Sequence, residues 1–305
     1  MISVIIPLYN KAATIERAIN SVLNQTVQDF ELIVVNNGST DGGEEVVKRK
    51  HDPRLRIIEQ DNLGVSMARN RGIAESKYEL VAFLDADDEW HVDFLQTVLQ
   101  LSEKYPNCDV FATAYQRCNA EGEIKDIHLN HVPNQEEFVF DNYFEVASLS
   151  DPPFCSISVM IKKEALLAIG GFPKGVHQGE DLLTWARLAS KYKIAYNSKS
   201  RSTFYTSENS SMDKPKRIPA TEDIVGQELE KIFQQNPSIP GLRQYIAYWH
   251  KMRASIYLRL PNSSRRCRAE VHKSQHWNRT PKMILYMFLS FLPYSIRMSI
   301  LKRLK

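Results

Sequence analysis

Short apolar runs alternate with helix-like periodicity along the first 90 residues of the chain. Each run is followed by polar, turn-forming residues, which predicts a buried strand. After the first run, Ile15, Ala18, Ile19 and Val22 recur at the spacing of one helix face, and residues 65–76 predict another helix. The predicted strands cover residues 3–7, 31–35, 55–59 and 80–84.

This alternation predicts an α/β fold, with a mainly parallel sheet covered by helices on both faces. In such sheets ligands bind beyond the carboxyl ends of the strands. Three polar turns follow predicted strands at that end, at residues 7–10, 36–39 and 85–88. We therefore expect these turns to form one ligand-binding rim.

The pattern changes twice further along the chain. It loosens after residue 106, and residues 156–161 then predict another strand. After residue 215 the strand pattern stops, and a helical extension is predicted, with breaks at Pro237, Pro261 and Pro281. The predicted domains are residues 1–215, with halves 1–106 and 107–215, and a basic helical region over residues 216–305.

Three carboxylates, Asp85, Asp87 and Asp88, directly follow the fourth predicted strand. Like charges this close repel one another, and a divalent cation would offset the repulsion. Since Mg²⁺ sites are usually completed by substrate phosphates, the trio favours a diphosphate ligand. The alternative is that Asp87 and Asp88 cap the next helix, which accounts for one acid better than for three.

Six segments carry a resemblance to a known family, and they follow one another in a fixed order. Together they resemble the successive motifs of the family 2 glycosyltransferases, which have the Rossmann-like GT-A fold and transfer a sugar from a nucleotide diphosphate to an acceptor hydroxyl with inversion. The resemblance runs to about residue 211. The segments are SVIIPLYN (3–10), AINSVLNQT (18–26), FELIVV (30–35), GSTD (38–41), ARNRG (68–72) and FLDADD (83–88).

The resemblance implies a donor site and a metal site on the rim. Asp85 would face the ribose or the diphosphate, while Asp87 and Asp88 would hold Mn²⁺ or Mg²⁺. Arg69 would lie near the nucleotide, although a surface ion pair is an alternative for this residue. The nucleotide-binding residues implied are Pro7, Tyr9, Asn10, Asn37, Ser39, Arg69, Asp85 and Ala86.

The segment GEDLLTWARL (179–188) resembles the acceptor side of the family. The resemblance implies that Asp181 is the general base, with Glu180 as an orienting residue. An inverting displacement needs such a carboxylate within reach of the attacking hydroxyl. Alternatively, both acids begin an amphipathic helix, which is also compatible with catalysis.

Two positions depart from the family pattern. Relatives usually end the second strand in Asp-Asp, of which the second accepts a hydrogen bond from the base, but this chain has Asn36 and Asn37. The change could weaken uracil binding, permit another base or mark a degraded site. Glu208 occupies the place of a histidine near the diphosphate, and it is either a metal ligand or a loop acid.

Charge is distributed unevenly between the body and the end of the chain. Residues 259–305 hold eleven of the 39 Lys and Arg residues but only one of the 36 acids, Glu270. Residues 282–305 add bulky apolar side chains, which favours peripheral contact with an anionic membrane over nucleic acid. Packing against the domain or in a dimer is the alternative.

The sequence therefore predicts an inverting, metal-dependent glycosyltransferase that uses a nucleotide diphosphate sugar, with UDP first, and a saccharide or lipid-linked saccharide acceptor. We expect a role in surface polysaccharide or glycolipid synthesis. Four cysteines without paired spacing and an N-terminus without a signal peptide predict the cytoplasm, with contact at its membrane face. A catalytically weak nucleotide-sugar or membrane-surface binding protein with the same fold is the alternative.

Overall fold

The computed structural model describes residues 1–206 and 218–303. Within these residues the chain forms ten strands and twelve α-helices. The strands are β1 (Ile2–Leu8), β2 (Phe30–Asn37), β3 (Leu55–Gln60), β4 (Leu80–Phe83), β5 (Glu89–Trp90), β6 (Val110–Cys118), β7 (Ile124–Asp126), β8 (Glu137–Val139), β9 (Val159–Lys162) and β10 (Ile194–Tyr205). The helices are α1 (Ile15–Leu23), α2 (Gly43–Lys48), α3 (Val65–Glu75), α4 (Phe94–Lys104), α5 (Tyr143–Leu149), α6 (Lys163–Ala168), α7 (Glu180–Ala189), α8 (Ile224–Gln235), α9 (Leu242–Leu258), α10 (Ser264–Trp277), α11 (Pro281–Leu289) and α12 (Tyr294–Arg303).

One sheet contains all of these strands, in the order β3-β2-β1-β4-β9-β6-β10-β5, with β7 beside β6 and β8 beside β10. The first four neighbours, β3, β2, β1 and β4, are parallel, as the alternating pattern predicts. Strand β9 then runs antiparallel to both β4 and β6. The part of the sheet formed by β1 to β4 is therefore parallel, while the sheet as a whole is mixed.

Burial explains why the early strands are so easily recognised. Every residue of β1 and β2 is buried, because helices cover both faces of the sheet. Helix α3 packs especially closely on β1: a Cβ atom on Gly72 would lie 2.4 Å from Ile5 Cγ2. This close contact fixes the position of α3, and with it the direction of Arg69 one turn earlier.

The strand predicted at residues 156–161 is only partly correct. Residues Ser156–Ser158 form a short 3-10 helix, and β9 begins at Val159. The indole N–H of Trp90 donates to the Ile157 carbonyl oxygen at 2.7 Å and holds this turn. The Ser-Ile-Ser alternation has the period of a strand, but the Ser158 backbone N–H donates to the Cys155 carbonyl oxygen at 3.1 Å and closes a helical turn.

The described chain divides into two compact units. The sheet unit comprises residues 1–141 and 150–206, and the helical unit comprises residues 142–149 and 218–303. The helices of the second unit are separated near the predicted proline breaks, and α11 begins at Pro281. The domain boundary expected at residue 215 lies outside the described residues.

Within the helical unit, α9, α10 and α11 share an apolar core that includes Tyr257, Val271 and Met283. Beside this core lies a buried polar network. His250 Nδ1 is 2.7 Å from Glu270 Oε2, and Arg253 Nε donates to Glu270 Oε1 at 3.0 Å. Asp223 accepts from the indole N–H of Trp249 at 2.9 Å. The network therefore ties α8, α9 and α10 together.

Candidate active site

The loops after β1 and β2 are joined by hydrogen bonds at the rim. Asn10 has a positive φ of 50° and its Oδ1 accepts from the Thr40 backbone N–H at 2.8 Å. The Asn10 backbone N–H donates to Ser39 Oγ at 3.2 Å. Pro7 is buried near the end of β1, whereas Tyr9 is exposed. The first two predicted segments of the donor site are therefore adjacent.

Asn36 lies between two carboxylates. Its Nδ2 donates to Glu59 Oε2 at 2.7 Å and to Glu44 Oε2 at 3.3 Å, while its Oδ1 accepts from the Ser39 backbone N–H at 3.1 Å. The backbone N–H fixes the orientation of the amide. An aspartate at this position would place a third carboxylate beside Glu44 and Glu59, so these surroundings favour an amide over an acid.

Asn37 is also buried and bonded by the turn that follows β3. Its Oδ1 accepts from Gln60 Nε2 at 2.7 Å and from the Leu63 backbone N–H at 3.1 Å. Its Nδ2 donates to Asn62 Oδ1 at 3.1 Å. Protein groups thus occupy both acceptor directions of this amide and one of its two hydrogens.

Asp85 is held by two groups from distant parts of the sequence. Arg69 donates to Asp85 Oδ1 at 2.7 Å, and Ser156 Oγ donates to Asp85 Oδ2 at 3.0 Å. The side chain of Arg69 is only 4% exposed and lies over the Phe172 ring at 5.1 Å. Arg69 is therefore buried and Asp85 is partly exposed, so the surface alternative for Arg69 is not what the structure shows.

Arg69 also connects the donor side of the rim to the predicted base. Burial alone would lower the pKa of its guanidinium, but the charge of Asp85, followed by those of Asp181 and Glu180, outweighs it and raises the pKa. Glu180 is buried and begins α7, and Asp181 is half-buried, with its Oδ1 accepting from the Leu182 N–H at 2.8 Å. Arg69 therefore interacts electrostatically with Asp85 on one side and with Glu180 and Asp181 on the other.

Asp88 is the most deeply buried acid of the rim, with 1% of its surface exposed. Its Oδ1 accepts from the Tyr205 backbone N–H at 2.8 Å, whereas no described residue donates a hydrogen bond to its Oδ2. Burial, followed by the charges of Asp85 and Asp87, raises the pKa of Asp88 to about 9. A buried carboxylate oxygen without a donor is costly unless another group binds it.

Asp87 is more accessible than Asp88, and it faces basic groups in and just before α1. Lys11 Nζ lies 2.5 Å from Asp87 Oδ2, and Arg17 donates to the Asp87 backbone carbonyl. Ala86, between the acids, is buried. The N-terminal cap of α4 is Asp93, so the structure does not use Asp87 or Asp88 as the cap of that helix.

These observations fit a divalent cation. Asp88 Oδ2 is a hard oxygen atom that lacks a donor among the described residues, and Asp87 offers a second carboxylate. Glu208, the third expected ligand, lies outside the described residues.

Four residues that contact the acidic loop were not predicted from the sequence: Ser156, Lys11, Arg17 and Tyr205. Of these, only Lys11 had a local signal, because it directly follows Asn10.

The sheet unit combines a parallel αβ half with an acidic rim at the ends of its strands, and comparison identifies its family. The model of glycosyl transferase family 2 matches residues 3–166, more than half of the chain. The chain therefore belongs to family 2 of the glycosyltransferases and has the GT-A fold, as the sequence motifs predict.

Relatives of known sequence agree with this assignment. An uncharacterized glycosyltransferase of Rickettsia felis is 32% identical over 196 residues, which are 63% of this chain and 31% of that protein. The chain thus matches about a third of the length of this relative. The putative teichuronic acid biosynthesis glycosyltransferase TuaG of Bacillus subtilis is 29% identical over 236 residues, 76% of this chain and 89% of that one.

Two solved structures share the fold. S. aureus TarS 1–349, in complex with UDP-GlcNAc, superposes with a TM-score of 0.65 at 16% identity and covers 95% of this chain and 90% of its own. The mannosyltransferase PcManGT of Pyrobaculum calidifontis, in complex with GDP-Man and Mn²⁺, gives a TM-score of 0.61 at 19% identity, with 98% and 86% covered.

Proposed function

We propose that this glycosyltransferase moves a sugar from a nucleotide diphosphate donor to an acceptor hydroxyl with inversion, and that it requires a divalent cation. The observation that carries the proposal is the buried Asp88 oxygen that lacks a donor among the described residues, beside Asp87 on the rim. Such an arrangement suits a cation that a diphosphate completes.

We propose different roles for the residues of the rim. Asp87 and Asp88 would hold Mn²⁺ or Mg²⁺, which would neutralise the charge that develops on the departing nucleotide diphosphate. Asp85, fixed by Arg69 and Ser156, would orient the donor. The proposed nucleotide contacts are those of the sequence prediction: Pro7, Tyr9, Asn10, Asn37, Ser39, Arg69, Asp85 and Ala86.

Asp181 is the proposed general base. It would take the proton of the acceptor hydroxyl as that oxygen attacks the anomeric carbon from the face opposite the diphosphate, which gives inversion. Glu180, at the first position of the same helix, would help to orient this end of α7. The half-buried position of Asp181 is compatible with access by an acceptor.

The relatives suggest the substrates. TarS is in complex with UDP-GlcNAc, PcManGT is in complex with GDP-Man and Mn²⁺, and TuaG is named for teichuronic acid biosynthesis. We therefore place a UDP-sugar first and propose a saccharide or lipid-linked saccharide acceptor in surface polysaccharide or glycolipid synthesis. The proposed location is the cytoplasm, at its membrane face.

The test is a titration of the protein with UDP, CDP, GDP and dTDP, with and without Mn²⁺. We expect one nucleotide to bind in a manner that depends on the cation, and Asp87→Ala to abolish that dependence. Asp29→Ala, at an exposed acid of the same unit, is the matched control. Failure of every nucleotide to bind would overturn the proposal, whereas binding without turnover would favour the weak binding protein.

A further inference from the structure

The outward side of α11 and the turn after it carries a group of exposed apolar residues. Phe288 and Phe291 are 68% and 67% exposed. Ile284, Leu285 and Phe288 lie on one face of the helix, because positions one turn apart are neighbours. Exposed apolar side chains in one cluster, unlike single ones, usually mark an interaction surface. The exposed set is Ile284, Leu285, Phe288, Phe291, Tyr294 and Ile296.

These residues are not the core-facing side of an ordinary amphipathic helix. The buried residues of α11 are Met283, Tyr286 and Leu289, and they already pack with α9 and α10. The helix is therefore apolar on its inward and its outward sides. The inward side accounts for folding, so the outward side requires another explanation.

Helix α12, which begins with the exposed Tyr294 and carries Ile296, is anchored to the rest of the helical unit. Arg297 is buried, and its guanidinium donates to Ser264 Oγ at 2.9 Å and to the Leu260 carbonyl oxygen at 3.0 Å. Ile300 and Leu301 pack against the shared core. The exposed residues therefore belong to an ordered pair of helices.

The segment that carries these residues is strongly basic. Glu270 is the one acid between residues 259 and 305, and it is buried against His250 and Arg253. The surface of residues 259–303 therefore carries no carboxylate side chain. Its exposed basic residues are Arg265, Arg266, Lys273, Arg279, Lys282, Lys302 and Arg303.

We propose that the outward side of α11 and α12 docks on an anionic lipid bilayer. The phenylalanines would enter the boundary between headgroups and acyl chains, and the basic side chains would meet lipid phosphates. Charge complementarity selects this partner. A second copy would bring together two positive surfaces that lack carboxylates, and nucleic acid would leave the aromatic cluster against a polar backbone.

The contact lies in the plane of the membrane surface. Helix α11 has nine residues and is ~14 Å long, less than the ~30 Å hydrocarbon thickness of a bilayer. Within residues 1–206 and 218–303, none of the helices combines the length and apolar character needed to span a membrane. Docking rests on the membrane-face location proposed above, and it adds the surface and the class of lipid that would provide it.

The test is flotation of the full chain with phosphatidylcholine vesicles, with and without phosphatidylglycerol, and no donor or acceptor present. We expect binding that requires phosphatidylglycerol and weakens at high salt. Phe288→Ser/Phe291→Ser should lower the partition coefficient by at least about tenfold, because two large apolar side chains no longer enter the lipid. The thermal midpoint should be unchanged, because both side chains are exposed.

The matched control is Val92→Ser/Leu167→Ser, which removes apolar side chains of similar exposure, 59% and 57%, from the sheet unit. We expect it to bind vesicles as the unaltered protein does. Equal binding of the two double variants, or equal binding to neutral and anionic vesicles, would overturn the proposal. So would a dimer in sedimentation velocity that Phe288→Ser/Phe291→Ser dissociates, with no vesicle binding. Nucleotide binding is measured separately, so failure of docking and failure of sugar transfer are distinguishable.

Discussion

At the scale of single residues, the burial of Asp88 makes its charge unfavourable for folding, and the same residue is a proposed cation ligand. Its pKa of about 9 means that the carboxyl group is neutral in the folded protein over a range in which it is charged in the unfolded chain. The folded protein therefore holds this proton more tightly than the unfolded chain does. The resulting stabilisation is complete below the ordinary pKa of 3.8 and is lost as the pH rises through 9. A bound cation would reverse the preference and release the proton.

Asp88→Asn should therefore be more stable than the unaltered protein at pH 8, by on the order of 1–3 kcal/mol, and the difference should grow between pH 5 and pH 9. The amide oxygen can still accept from the Tyr205 N–H. The same variant should lose cation-dependent nucleotide binding. Urea unfolding at several pH values and Mn²⁺ titration measure the two effects, with Asp29→Asn as control. A variant less stable than the unaltered protein at pH 8 would contradict this account.

Asp181→Asn should leave nucleotide binding nearly unchanged and lower turnover by about 10²–10⁴-fold, because the amide cannot accept the acceptor proton. Nucleotide affinity and steady-state rates measure the two effects. Glu164→Gln, at an exposed acid elsewhere in the sheet unit, is the control. Normal turnover in Asp181→Asn would remove this residue from the role of base.

Asn36→Asp tests why the usual acid pair is absent. Placing a carboxylate beside Glu44 and Glu59 should destabilise the fold by about 1–3 kcal/mol at pH 8. Glu59→Gln should restore most of this loss in the double variant, because an amide can donate to the new carboxylate. A double-mutant cycle in urea measures the coupling. Additive effects would show that the two positions do not interact.

At the scale of elements, the close packing of α3 on β1 positions Arg69, a proposed nucleotide contact. Gly72→Ala would bring a methyl group 2.4 Å from Ile5 Cγ2. We expect a loss of about 1–3 kcal/mol of stability and weaker nucleotide binding, because α3 must shift with Arg69. Arg71→Ala, on the exposed side of the same helix, should change both by far less. Unfolding in urea and nucleotide titration are the measurements.

The elements also show what the sequence could and could not predict. The strands β1 to β4 and the rim at their ends are local features, since each is a continuous apolar run followed by polar residues. The two hydrogen bonds that hold Asp85 are different, because their donors, Arg69 and Ser156, are 16 and 71 positions away in the sequence. The partners of Asn36 likewise come from α2 and β3. Contacts of this kind depend on tertiary packing, which no local pattern contains.

At the scale of the whole molecule, the two units should respond to pH in opposite directions. In the helical unit, burial alone would raise the pKa of Glu270, but hydrogen bonds and charges of His250 and Arg253 lower it below its usual 4.5. That contribution to stability is present above pH 4.5 and is lost as the pH falls through the lowered pKa. In the sheet unit, the stabilisation that comes from protonated Asp88 is lost as the pH rises.

Glu270→Gln should therefore destabilise the helical unit by on the order of 3 kcal/mol at pH 7, with a smaller difference below pH 4.5. Hydrogen exchange of peptides from each unit, corrected for the intrinsic rate at each pH, measures this effect. Glu222→Gln, at an exposed acid, is the control. A difference that stays constant across this pH range would argue against the network as the cause.

The position of α5 in the sequence limits where this protein can be truncated. It lies early in the sequence yet belongs to the helical unit, where the ring of Phe144 is 5.3 Å from that of Tyr245 in α9. A chain ending at residue 206 would keep α5 and lose α9, so an aromatic helix would be left in water. We expect such fragments to aggregate during expression. Surface substitutions in the intact chain are therefore the sound way to separate catalysis from localisation.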